Sequence, residues 1–248
     1  MKKLMVLIGL IVLVVGGVYL MTATGKTVDV AWTEADYTQA MGKLPIQLDT
    51  IESVNLEALA MNSYTAAGTQ PAEVAFSSEE FSALVAKAND AKGPIRGTKL
   101  RFTGQDAGEV SFRLSDDFAQ FLRSYGLVGW KPGFTAALRV AAVMPLSGGL
   151  TEQLVAYVAD YVGNKPVYAN GYLRKTGPNA VEADITTLKV GQLSMNEAVI
   201  SRTEYEVTRI LNAVIAPEHG FSIEELRIEE GRIYYKGTLP AEITGTSL

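Results

Sequence analysis

The chain has 248 residues, enough for one or two domains, and its 22 basic and 27 acidic side chains leave a net charge of −5. Residues 1–26 hold three lysines and no acid, so the remainder is more acidic still; this argues against nucleic acid as a partner and against broad attachment to anionic headgroups. The absence of cysteine excludes disulfides, thiolate metal sites and a lipid-modified N-terminal cysteine.

Lys2 and Lys3 precede an uncharged apolar run from Leu4 to Met21. As a helix at ~1.5 Å per residue it spans about 27 Å, close to a hydrocarbon core of about 30 Å. A cleaved signal peptide is the competing reading. Its apolar part is shorter, and Thr22-Ala23-Thr24 is a poor cleavage signal. The expectation is therefore a single-pass signal anchor over residues 1–26 in the cytoplasmic membrane. The lysine bias puts its N-terminus inside and the rest of the chain outside. An extracytoplasmic α+β domain is expected over 27–240 and a frayed tail over 241–248.

After a short link from Gly25 to Val30, Thr33-Glu-Ala-Asp36 reads as a helix start, and Gly42 and Pro45 end that helix. Ile46 to Tyr64 fits strand and helix equally. Thr65 to Pro71 reads as a loop. Ser77-Ser-Glu-Glu80 has capping-box spacing, and Phe81, Leu84, Val85 and Ala88 form an apolar stripe behind it. Strands follow over Lys99–Thr103 and Glu109–Leu114. Further helices are expected after Ser115, with Phe118, Phe121, Leu122 and Tyr125, and after Thr151, with Leu154, Val155 and Val158. Thr135 to Met144 lies between them as a buried strand.

Val167–Arg174 and Val181–Leu188 flank the turn Thr176-Gly-Pro-Asn179. Val181, Ala183 and Ile185 alternate with Glu182, Asp184 and Thr186, the pattern of an antiparallel sheet with one wet face. Ser194-Met-Asn-Glu197 and Ser201-Arg-Thr-Glu204 both have capping-box spacing. Val207, Ile210, Leu211, Val214 and Ile215 share one helical face. A hairpin then turns at Glu230-Gly231. Ser77–Leu114 and Ser201–Leu239 thus read as two helix–hairpin units, a possible repeat. The fold expected is an elongated, curved antiparallel sheet packed on amphipathic helices.

A lysine start and single anchor, the helix SSEEFSALV, a hairpin, and the segment VYANGYLRKTGPNAVEADITTLKVGQLSM before a last helix and hairpin make a recognisable order. It resembles the YpmS-like family of Gram-positive single-pass membrane proteins and, more loosely, the tubular lipid-binding (TULIP) folds. Leu188-Lys-Val-Gly-Gln-Leu193 is the segment most similar to the family. The resemblance implies an apolar groove for a lipid or other amphiphile and carries over no catalytic residue.

Chemistry-bearing motifs are sparse. His219 is the only histidine, so a His-rich zinc site is excluded and a catalytic triad has a single candidate base. No serine sits in a G-x-S-x-G elbow, and no phosphate-binding glycine motif occurs. His219 reads as an exposed turn residue. The adjacent acids at Glu79-Glu80, Asp116-Asp117, Glu224-Glu225 and Glu229-Glu230 read as helix starts or wet hairpin positions. No metal or cofactor is implied. The stripes carry the remaining signal: Phe81, Leu84, Val85, Leu154, Val158, Val207, Ile210, Leu211 and Val214 line either a sealed core or a groove. The expected function is a non-catalytic envelope protein binding a lipid or amphiphile. The alternative is a scaffold with a filled core that docks an envelope enzyme or transporter, with an exposed aromatic patch near Trp130 and Tyr125.

Overall fold

The computed structural model describes residues 25–48, 51–55, 58–59, 63–91, 93–115, 165–216 and 219–245. Three helices are described: α1 (Glu34–Lys43), α2 (Ser78–Asn89) and α3 (Glu197–Val214). The strands are β1 (Gln47–Leu48), β2 (Tyr64–Ala67), β3 (Gln70–Ser77), β4 (Ile95–Gly104), β5 (Ala107–Leu114), β6 (Pro166–Gly177), β7 (Ala180–Val190), β8 (Leu193–Ser194), β9 (Ser222–Glu229), β10 (Arg232–Leu239) and β11 (Glu242–Gly245). The fold is α+β, as expected. Its strands do not form one curved sheet. They form three, ordered β1-β11-β2, β3-β10-β9 and β4-β5-β6-β7-β8, all antiparallel except for the β1–β11 pair. Among the described residues no helix is long and apolar enough to cross a membrane. The predicted anchor, Leu4 to Met21, lies outside them, as do the helices and strand expected between Ser115 and Gly163.

Local signals place the helix starts well. Thr33 and Asp36 close a capping box on α1, and Ser77 and Glu80 close one on α2. Glu80 is 4% exposed, and Lys43 approaches it at 2.6 Å, joining α1 to α2. The cap of α3 is Asn196, however, which accepts from the Val199 N–H; Ser194 is in β8 and Ser201 lies inside the helix. The segment after Ser194 runs on through Ser201 as one helix, a continuation the sequence allows, with its cap at Asn196 in place of either serine. Thr65 to Pro71 and the tail are also corrected: β2 and the start of β3 occupy the first, and β11 pairs with β1 and β2. These short strands have no strong apolar alternation. They form because β11 lies between β1 and β2 and bonds both, and β3 bonds β10.

The two helix–hairpin units share element order and differ in packing. Helix α2 lies on its own hairpin. Ser82 Oγ accepts from the Leu100 N–H (2.8 Å) and donates to the Leu100 carbonyl (3.1 Å), and Ser78 Oγ accepts from the Phe102 N–H (2.9 Å). Helix α3 lies instead on β7, the strand before it. Asn212, Thr208 and Glu204 accept from the N–H groups of Val181, Ala183 and Ile185 at 2.9, 3.1 and 2.7 Å. Four helical residues rise ~6 Å and two strand residues ~6.6 Å, so an i, i+4 row matches alternate N–H groups on a strand edge. The outer edge of β7 over residues 181–185 and that of β4 at Leu100 and Phe102 are thereby closed to further pairing.

The far ends of the long hairpins dock on β9. Asp106, at φ 54°, donates its N–H to the Ile228 carbonyl (2.8 Å), and its carboxylate accepts from the Ile228 N–H (3.3 Å). Asn179, at φ 49°, donates to the Ile215 and Phe221 carbonyls and accepts from the Ile223 N–H. A core of Ala40, Phe76, Phe102, Ile228 and Ile233 fills the space between the β3-β10-β9 sheet, β4 of the five-stranded sheet and α1.

Candidate functional site

The residues expected to line a groove divide into three groups. Phe81 and Leu84 pack against the Phe76–Phe102–Ile228 core; the Phe81 ring lies 5.7 Å from Phe102 and 6.2 Å from Phe76. They are structural fill, and Val85 beside them is half-buried. Val207, Ile210, Leu211 and Val214 are all half-buried on α3, whose one fully buried side chain is Val199. Leu154 and Val158 lie outside the described residues, as do Trp130 and Tyr125.

An apolar sheet face that no local motif pointed to lies instead at the first turns of α3. Val110, Phe112 and Leu114 alternate on β5, opposite Ala169 and Val167 on β6, which in turn oppose Leu188 and Val190 on β7. Val167, Ala169 and Leu188 are buried, whereas Val110, Phe112, Leu114 and Val190 are half-buried. Val199 and Ile200, in the first turns of α3, pack on this floor. Val207, Leu211 and Val214 lie on the same helix face farther along α3, toward the Val181 end of β7 where Asn212 bonds. The result is an apolar floor at one end of the sheet with α3 along one side.

The opposite face of the same strands is polar and carries residues 25–30. Val28 and Val30 are buried against Tyr168, and the Val28 N–H donates to Ser111 Oγ (2.9 Å). Glu109 receives Tyr168 Oη at 2.6 Å and Lys26 Nζ at 3.1 Å on one oxygen, and Arg101 Nε at 2.9 Å on the other. Lys26 Nζ also donates to Tyr168 Oη (2.6 Å) and sits 4.0 Å from its ring centre. Burial raises the Glu109 pKa, but the bonds from Tyr168, Arg101 and Lys26 outweigh it and hold the carboxyl at about 2. Burial, then the bond to Glu109, pushes the Tyr168 phenol up. The four side chains come from positions 26, 101, 109 and 168, so no spacing in the sequence announces them. What was read as a link is a strap bonded to the sheet.

The other sites considered from sequence resolve simply. His219 is half-buried rather than exposed, its ring 5.3 Å from that of Tyr64. Glu225 and Glu229 pair with Arg227. No cluster of three or more metal-ligating side chains occurs among the described residues. An open cleft of about 270 Å³ is lined by Trp32, Glu52, Ala86, Lys87, Asp90 and Ala91, none of them a groove candidate. Comparison with family profiles, curated proteins and solved structures finds no match.

Proposed function

We propose that this is a membrane-anchored, extracytoplasmic envelope protein that binds the acyl part of a lipid or other amphiphile without chemical conversion. The observation that carries this reading is the half-buried floor of Val110, Phe112, Leu114 and Val190 beside the first turns of α3. Apolar side chains left partly open on adjoining strands and a helix suit an acyl chain, which needs a dry surface and few polar partners. Such a role accords with the sequence resemblance to the YpmS-like family and, through it, to tubular lipid-binding folds.

Native mass spectrometry of the full chain, extracted gently from its membrane, tests the reading. Phospholipid or another amphiphile is expected to remain on the wild type. Phe112→Asp, which puts a charge on the floor, is expected to lose at least tenfold of that adduct. Bare wild-type protein that takes up no added lipid refutes the reading.

A further inference from the structure

We propose that the strap at residues 25–30 fixes the domain upright on the bilayer, with the Pro166–Gly191 end of the five-stranded sheet against anionic lipid headgroups. The proposal rests on the membrane-anchor reading and adds an orientation and a contact surface to it.

The chain meets the sheet at Gly25, directly on Gly191. A Cβ at Gly25 would lie 2.5 Å from the Gly191 carbonyl oxygen, so only glycine permits this approach. Gly191 itself has φ +60° and bonds its N–H to the Pro166 carbonyl (2.9 Å). From there Lys26 is held by Glu109 and Tyr168, and Val28 by Ser111. The strap is thus fixed by backbone contact, buried apolar side chains and charge together. Only Thr22 to Thr24 separate Gly25 from Met21, the end of the apolar run. The four steps from Met21 to Gly25 reach about 14 Å at most. The Gly191 end of the sheet therefore sits at the height of the headgroup layer.

The charges at that end fit such a neighbour. Arg113 on β5 lies opposite Pro166, Lys165 immediately precedes β6, and Lys189 on β7 lies opposite Tyr168, on the strap face. Lys99 on β4 lies opposite Ser111 in the same row. Exposed Asp29 on the strap and Glu197 at the start of α3 offset part of this charge, and the four cations leave the rim basic on balance. Each cation near an anionic surface contributes on the order of 1 kcal/mol, and the effect falls off within a Debye length.

The absence of cysteine makes the orientation measurable, because each introduced thiol is unique. Ser194→Cys is exposed at the Gly191 end and Thr176→Cys is exposed at the far tip. Ten residue steps of β7 separate the two ends by roughly 33 Å. Each full-length variant is labelled with a fluorophore and placed in nanodiscs containing phosphatidylglycerol and a headgroup-nitroxide lipid quencher. Quenching at position 194 is expected to exceed that at 176 at least threefold. Neutralising Arg113 and Lys189 to serine is expected to halve the quenching at 194, and Gly25→Val to erase the difference between the probes. Co-migration with the discs but equal quenching at both positions overturns this proposal alone. Failure to co-migrate overturns the anchor reading and the proposal with it.

Discussion

At Glu109 two opposed effects act on one carboxyl. Burial favours the neutral acid, and three donors favour the anion; the donors win, and the group titrates at about 2 instead of 4.5. Its folded value lies below its unfolded one. The stability it contributes is therefore complete above pH 4.5 and drains away as pH falls toward 2. Glu109→Gln is expected to cost about 1–3 kcal/mol at pH 7, because Arg101 and Lys26 lose their counter-charge. The variant is also expected to lose much of the wild type's fall in stability between pH 4.5 and 2.5. Urea denaturation at the two pH values checks both. Asp184 provides a contrast. It pairs with Arg174 at 3.6 Å and both side chains are about half exposed, so Asp184→Ala is expected to change stability by under about 0.5 kcal/mol.

At the scale of elements, the closing of the strand edges is the device that shapes the molecule. Asn212 both accepts from the Val181 N–H and donates to the Val181 carbonyl, replacing a ladder partner on β7. Asn212→Ala combined with Thr208→Ala is expected to cost about 2–3 kcal/mol. Hydrogen exchange should accelerate at Val181 and Ala183, and concentration-dependent association should appear through the exposed edge. Unchanged exchange at those two amides would mean that α3 does not close the edge. These contacts also mark the limit of what could be read from sequence. The helix start at Thr33, the capping box at Ser77, the Glu230-Gly231 turn and the β6–β7 alternation depend on neighbours within a few residues, and all are legible. Glu204 was misread as the second half of a capping box because the same side chain serves a strand 19 residues earlier. The strands at Thr65–Pro71 and in the tail were missed for the same reason. β2 and β11 pair with each other across about 180 residues, and Gln70 and Pro71 pair with β10, so their own pattern does not announce them.

Across the whole molecule the two faces of the five-stranded sheet have different tasks. One holds the strap by ion pairs and hydrogen bonds; the other presents apolar side chains that are only partly covered. The sealed core and the open floor should therefore respond differently to truncation. Ile228→Ala, 4% exposed in the core between the sheets, is expected to cost about 2–5 kcal/mol. Val207→Ala and Leu211→Ala on the half-buried stripe are expected to cost under about 1 kcal/mol each without lipid and to weaken lipid retention instead. Photocrosslinking tests the floor most directly. The full chain is placed in nanodiscs with phospholipid bearing a diazirine at the end of its acyl chain, irradiated, and mapped by peptide mass spectrometry. Adducts are expected on β5 and β7 around Phe112 and Val190 and on α3 around Val207, in addition to the Leu4–Met21 segment. Adducts confined to Leu4–Met21 would contradict a lipid-binding floor.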